Sequence, residues 1–207
     1  MVAAKTSIDP ASIDGLTTYK LLTGSIVPRP IGFISTVSAS GVFNAAPFSF
    51  FNGISHNPPM LCFSSQRRDD REKDTLINVR DVGDFVANIV DEAVLDAMAV
   101  CAIDFPADIS EFERAGLTPV ASRVVRAPAI AEAPVNLECR VIDIRPLPES
   151  TYTLVIARVE YFHVRTDLCA PDGKIDPRRL RAVGRMAGNL YTRTAEVFST
   201  QSHVKVK

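Results

Sequence analysis

The stretch Tyr152-Thr-Leu-Val-Ile-Ala-Arg-Val-Glu-Tyr-Phe-His-Val164 decides how this chain folds. Leu154, Ile156, Arg158, Glu160 and Phe162 share one parity, and Val155, Ala157, Val159, Tyr161 and His163 share the other. A strand with one wet face is apolar on a single parity. Here each parity carries an apolar stretch, which places the strand centrally in a closed or double-layered sheet.

Working outward, the β-formers of Ile31–Val37 precede a turn at Ser38-Ala-Ser-Gly41, and Val42–Ala46 can return as a hairpin partner. Further strands are expected at Met60–Ser64, Phe85–Val90, Arg123–Arg126 and Val135–Arg145. Helices are fewer: Thr75–Arg80 behind a capping Asp74, Glu92–Ile103, and a short one at Ser110–Ala115 that stops at Gly116. The sum is a mainly β protein, a barrel with two or three flanking helices. No G-x-G-x-x-G follows a strand, so a Rossmann sheet is not expected.

The 207 residues suit one domain, with a core over about 19–191 and short terminal extensions. With 23 Lys plus Arg against 24 Asp plus Glu, the chain has no general attraction to nucleic acid or anionic membrane. No apolar run approaches the roughly 18 residues of a membrane span, and the first residues lack a signal-peptide pattern, which points to the cytoplasm. Cys62, Cys101, Cys139 and Cys169 lie far apart without C-x-x-C spacing or neighbouring histidines, so they read as free, buried small hydrophobes and no metal site is expected.

Hydrolytic signatures are absent, and His56, His163 and His203 stand alone, in a turn, a strand and the C-terminal tail. No catalytic side chain is singled out. Three segments are unusual: Val27–Gly32, Asn44–Asn52 and Phe63–Thr75, each at a strand end. In the second, small Ala45 and Ala46 let a flat ligand approach the backbone, and Ser49 offers polar groups among three phenylalanines. In the third, Ser64 and Ser65 end a strand, while Lys73 and Thr75 open a helix whose free N–H groups favour an anion such as phosphate. Read without other context, the same segments also fit a solvated charged loop and core-packed phenylalanines.

Pro28-Arg-Pro-Ile-Gly-Phe-Ile-Ser-Thr36, Ala46-Pro-Phe-Ser-Phe-Phe-Asn52, Pro58-Pro59, Lys73-Asp-Thr75 and Arg185-Met-Ala-Gly-Asn-Leu-Tyr191 occur in an order that resembles the flavin reductase-like family, in its flavoredoxin-type branch. The resemblance implies an FMN-binding split β-barrel of Greek-key type, a homodimer, and FMN near the subunit interface. By position, Lys73 and Thr75 would hold phosphate, with Ser64 and Ser65 near the phosphate or ribityl chain. Ala46, Phe48, Ser49 and Phe50 would line the isoalloxazine; Arg29, Ser35 and Thr36 would approach it from the first strand; Arg185 would reach the cofactor or the dimer contact. The late motif commonly reads Arg-Leu-Gly-Gly in the family, and this chain departs from it at Met186 and Ala187.

The function so implied is an FMN-dependent oxidoreductase taking hydride from NADH or NADPH to flavin N5, chemistry that needs no protein nucleophile. The flavin would be either an exchangeable substrate passed to a partner monooxygenase or a tightly held group of a flavoredoxin-like electron carrier. Arg67, Arg68 and Arg71 are candidates for the extra phosphate of NADPH. The alternative is a non-enzymatic FMN- or haem-binding module on the same barrel.

Overall fold

The computed structural model describes residues 3–67 and 71–199. In chain order, α1 (Gly15–Ser25) leads into β1 (Gly32–Val37), β2 (Phe43–Phe48), β3 (Phe51–His56) and β4 (Pro59–Gln66). Next come α2 (Asp74–Val82), β5 (Asp84–Ile89), α3 (Leu95–Val100) and α4 (Glu111–Ala115). The short β6 (Pro119–Val120) and β7 (Ala129–Ile130) precede the long β8 (Val135–Pro146) and β9 (Tyr152–Val164). Finally come α5 (Pro177–Leu180), β10 (Val183–Arg185) and β11 (Tyr191–Arg193).

Seven strands form one antiparallel sheet in the order β2-β1-β5-β8-β9-β4-β3. Its two edge strands, β2 and β3, are consecutive in sequence and joined only by Ser49-Phe50. Two residues cannot span the width of a flat seven-stranded sheet, so the sheet must curl until its edges meet. The barrel is therefore split between β2 and β3, and the segment Ala46–Asn52 lies along the split. Contact across it is close: a Cβ on Gly32 of β1 would come within 2.5 Å of the Phe51 ring of β3, so only glycine fits there.

Inside the barrel, Ile34, Phe48, Leu61, Phe63, Phe85, Ala87, Cys139, Val155, Ala157 and Val159 pack together, and Leu76 and Val79 of α2 join them. Fully buried phenylalanines such as Phe63 and Phe85 contribute roughly 1.5–3 kcal/mol each through burial. Phe33 and Ala45 point the other way, into a second core with Met98, Cys101, Phe112 and Leu117 from the α3–α4 region. Strand β1 is accordingly buried along its whole length.

Several sequence expectations meet corrections. Two-sided burial belongs to β1 rather than β9, where Val155, Ala157 and Val159 are buried but Leu154 and Ile156 are half-buried and Phe162 is exposed. Residues 123–126 are not a strand, because carboxylates rather than a ladder take their amides. Arg123 and Val124 N–H donate to Glu138 at 2.7 Å each, and Arg126 and Ala127 N–H donate to Asp84 at 3.1 Å each. The helix expected over Glu92–Ile103 shrinks to α3, since Asp91 Oδ1 accepts from Ala93 and Val94 N–H and holds a turn there. Strand β3 was not expected: residues 52–56 are exposed, so no alternation marks them. Helices α2, α3 and α4 answer the three that were expected, and α1 and α5 add to them.

All four cysteines are free, but Cys62 is only half-buried and Cys169 is exposed, so the buried reading holds for Cys101 and Cys139. Among the described residues, no helix is long and apolar enough to cross a membrane. Arg68, His203 and part of the basic stretch Arg67–Lys73 lie outside the described residues.

Candidate functional site

Two adjoining cavities open beside the split of the barrel, and Lys73 lines both. The smaller, about 110 Å³, is a slot between Tyr19 of α1, the segment Pro47–Phe50, and Ser64, Gln66 and Tyr152 of β4 and β9. Its walls are largely aromatic. Phe50 lies against Tyr152 at 5.5 Å and 27°, Tyr152 donates its hydroxyl to Gln66 Oε1 at 3.2 Å, and Phe48 packs on Phe63 at 4.7 Å. The larger, a cleft of about 360 Å³, is lined by Asn44 and Ala46 of β2, Lys73–Thr75, Asp104 and Glu111.

Helix α2 begins at this cleft. Lys73 is its extended N-cap residue (φ −69°, ψ 144°), and Leu76 and Ile77 N–H both turn back to the Lys73 carbonyl. The N–H groups of Asp74 and Thr75 therefore stand ahead of the helical ladder, at a helix end where anions are favoured. Asp74 is the first helical residue and not the capping residue expected from sequence. Its carboxylate faces Arg71 at 3.5 Å. The Thr75 hydroxyl accepts from Asn44 at 3.0 Å and keeps its own proton to donate. Lys73 Nζ lies 3.9 Å from Asp104 and 6.0 Å from the Phe48 ring centre.

Of the residues singled out from sequence, the cleft gathers Ala46, Lys73 and Thr75, and the slot gathers Phe48, Ser49, Phe50, Ser64 and, again, Lys73. The others sit elsewhere. Arg29 is buried and donates to the carbonyls of Thr23, Ile26 and Met186 and to Ser49 Oγ. Ser35 is buried, donates to the Pro128 carbonyl at 2.6 Å and accepts from Asn88. Thr36 is buried and accepts from Asn78. Arg185 spreads over the Tyr191 ring at 4.6 Å. The turn after it takes its positive φ at Gly188 (58°) and not at Ala187, so the departure at position 187 costs nothing in backbone geometry.

Ser65 shares the pleat of Leu61 and Phe63, opposite to Ser64, and its Oγ is the one buried side-chain polar atom without a hydrogen bond among the described residues. Next to it in the chain, the Ser64 hydroxyl faces the slot. An aromatic slot with serine hydroxyls, joined through a lysine to a helix start, is a donor set suited to a planar ring carrying a phosphate.

Sequence reading missed Tyr19, Asn44, Asp104, Glu111 and Tyr152. Asn44 lay inside a quoted segment, but Glu111 opens a helix and reads as an ordinary dipole-complementing acid. In the structure Glu111 is buried, and its Oε2 accepts the Ala45 N–H at 3.2 Å. Burial pushes its carboxyl above the usual range, Asp74 adds to that, and hydrogen bonds and Lys73 pull the other way. Nearby Cys101 is pushed up to about 12 by burial, so its thiol is neutral.

A family model described as flavin reductase like domain matches residues 23–177. The chain belongs to that family. An uncharacterized protein of Halalkalibacterium halodurans is 42% identical over 197 residues, covering 93% of this chain and 94% of its own. Among solved structures, nitrilotriacetate monooxygenase component B from Bacillus cereus superposes with a TM-score of 0.92 at 38% identity, covering 96% of this chain and 100% of its own. The 2-nitrobenzoate 2-nitroreductase NbaA of Pseudomonas fluorescens superposes with a TM-score of 0.88 at 28% identity, covering 98% of each chain. The split barrel and a flavin-related role are thus properties this chain shares with its family.

Proposed function

We propose that this chain binds FMN across the slot and the cleft and works as an NAD(P)H-dependent flavin oxidoreductase. The observation that carries the reading is Lys73 at the junction of an aromatic slot and a helix start. When bound, FMN supplies the redox chemistry, accepting hydride from reduced nicotinamide at N5 and passing electrons on.

The chain's own task is to bind and orient. Lys73, Thr75 and the leading N–H groups of α2 hold a phosphate, the lysine as a charge and the helix start as paired donors. Ser49 accepts from Arg29 Nε at 3.3 Å, which leaves its hydroxyl proton free to donate into the slot. Phe50 and Tyr152 keep water from one wall. Arg71, at the cleft mouth, is the described arginine best placed for a nicotinamide phosphate. The relative named as a monooxygenase component supports the version in which reduced flavin serves a partner monooxygenase. A homodimer is supported by apolar side chains left exposed on α1 and just after it (Leu16, Tyr19, Leu21, Leu22, Ile26) and on β8 and β9 (Ile142, Phe162).

The test is flavin absorbance of the purified protein, FMN titration, and NADH and NADPH oxidation with and without added FMN, FAD and riboflavin, with sedimentation velocity for the dimer. Expected are saturable FMN binding and flavin-dependent NAD(P)H consumption. Binding without consumption would reduce the protein to an FMN module or a carrier, and no binding would overturn the reading.

Ala46→Leu gives a sharper check of the cavity wall. Ala46 faces the barrel core and the cleft together, so the added atoms fill space a ligand needs and overpack the core by about 1–3 kcal/mol. The barrel is expected to stay folded by circular dichroism while FMN titration shows no binding. Normal FMN affinity would take the ligand away from this wall.

A further inference from the structure

Resting on the reading that a phosphate binds at Lys73, a further step follows from the charges around it. The cleft is lined by two bases, Arg71 and Lys73, and four acids, Glu72, Asp74, Asp104 and Glu111. Three of the acids are engaged by bases: Glu72 by Arg80, Asp74 by Arg71, and Asp104 by Lys73. Glu111 has no basic side chain within ion-pair distance among the described residues, and its carboxylate accepts only from neutral backbone amides, its own and that of Ala45. It is also the most deeply buried of the four, on α4, facing Asn44 and Ala46 of β2 and the neutral thiol of Cys101.

A phosphomonoester entering this cleft changes the field at Glu111 twice. It adds negative charge to a space that already holds Asp74, and it takes over Lys73, whose positive charge helps backbone hydrogen bonds favour the ionised form of Glu111. Both changes disfavour a buried, unpaired carboxylate. We propose that Glu111 takes up a proton when a phosphomonoester enters the cleft, which links binding at Lys73 to pH. By linkage, a site that gains a proton on binding holds its ligand more tightly as pH falls.

The prediction concerns FMN and not riboflavin, which lacks the phosphate. FMN affinity is expected to fall as pH rises, by up to about tenfold per pH unit, while riboflavin affinity stays level. Calorimetry of FMN binding in two buffers of different ionisation enthalpy counts the protons directly, and net uptake is expected. Glu111→Gln keeps a side-chain oxygen for the Ala45 amide and removes the titrating group. That variant should bind FMN with the pH slope and the proton uptake both lost. Any proton exchanged by the phosphate itself remains in both proteins, so the difference between them isolates residue 111.

FMN binding by the unaltered protein without proton uptake overturns this inference and leaves the proposed function standing. Uptake that persists undiminished in a folded Glu111→Gln assigns the proton to another group and also overturns it. Failure of FMN to bind at every pH overturns both readings together.

Discussion

Lys73→Ala is expected to weaken FMN binding by about 1–3 kcal/mol, roughly five- to a hundred-and-fifty-fold, while riboflavin binding and the fold are left nearly unchanged. The size follows from losing one charge-assisted bond to phosphate at a partly buried position. The stability of the fold follows from what Lys73 does without ligand. Its backbone, not its side chain, caps α2, because the carbonyl receives Leu76 and Ile77 N–H and no side-chain cap bond is made. Its contact with Asp104, whose side chain is 65% exposed, belongs to the class of surface pairs that contribute little. Flavin fluorescence titrations with FMN and riboflavin, beside thermal midpoints, check both halves. An FMN affinity equal to that of the unaltered protein would move the phosphate away from Lys73, and an equal loss for riboflavin would give the lysine to the ring instead.

The contrast between these two ligands reflects which parts of the site were legible in the sequence. Lys73, Thr75 and Ala46–Phe50 could be read because they are local: a helix start, a run of small and aromatic residues, a strand end. Glu111 and Tyr152 could not, since they reach the cleft and the slot from residues tens of positions away and only barrel closure brings them in. The strands of the barrel showed the same division. β9 was bounded correctly by its alternation, whereas β3, an edge strand with no buried face, left no periodic signal. Residues 123–126 misled in the opposite sense: their β-forming side chains suggested a ladder, yet Asp84 and Glu138 take the amides a ladder would need. Helix α1 leaves no periodic apolar signal because it buries only Thr23, although Asp14 caps it by accepting Thr17 N–H at 2.9 Å.

Arg29→Ala is expected to cost on the order of 3 kcal/mol, concentrated in α1, before any flavin is added. Arg29 is 5% exposed and has no carboxylate partner among the described residues; its charge rests on carbonyl oxygens. Nη1 donates to Thr23 O at 2.6 Å and Ile26 O at 3.1 Å, which lie at the negative end of the α1 dipole, and Nη2 donates to Met186 O at 3.0 Å. Burial lowers the Arg29 pKa, but these acceptors surround a group that stays charged at any physiological pH. Removing it strands three carbonyls and cuts the hydrogen bonds that tie the end of α1 to the barrel. Lysine cannot replace it, since one ammonium cannot reach acceptors spread around a planar fork. Hydrogen exchange of the flavin-free protein therefore separates two roles. A residue that only touched flavin would leave amide protection in α1 unchanged, whereas the staple described by these bonds loses that protection in both Arg29→Ala and Arg29→Lys while the barrel strands keep theirs. The same substitution frees Ser49 Oγ from Arg29 Nε and loosens the helix that carries Tyr19, so riboflavin affinity is expected to fall together with FMN affinity, the opposite of the Lys73→Ala pattern.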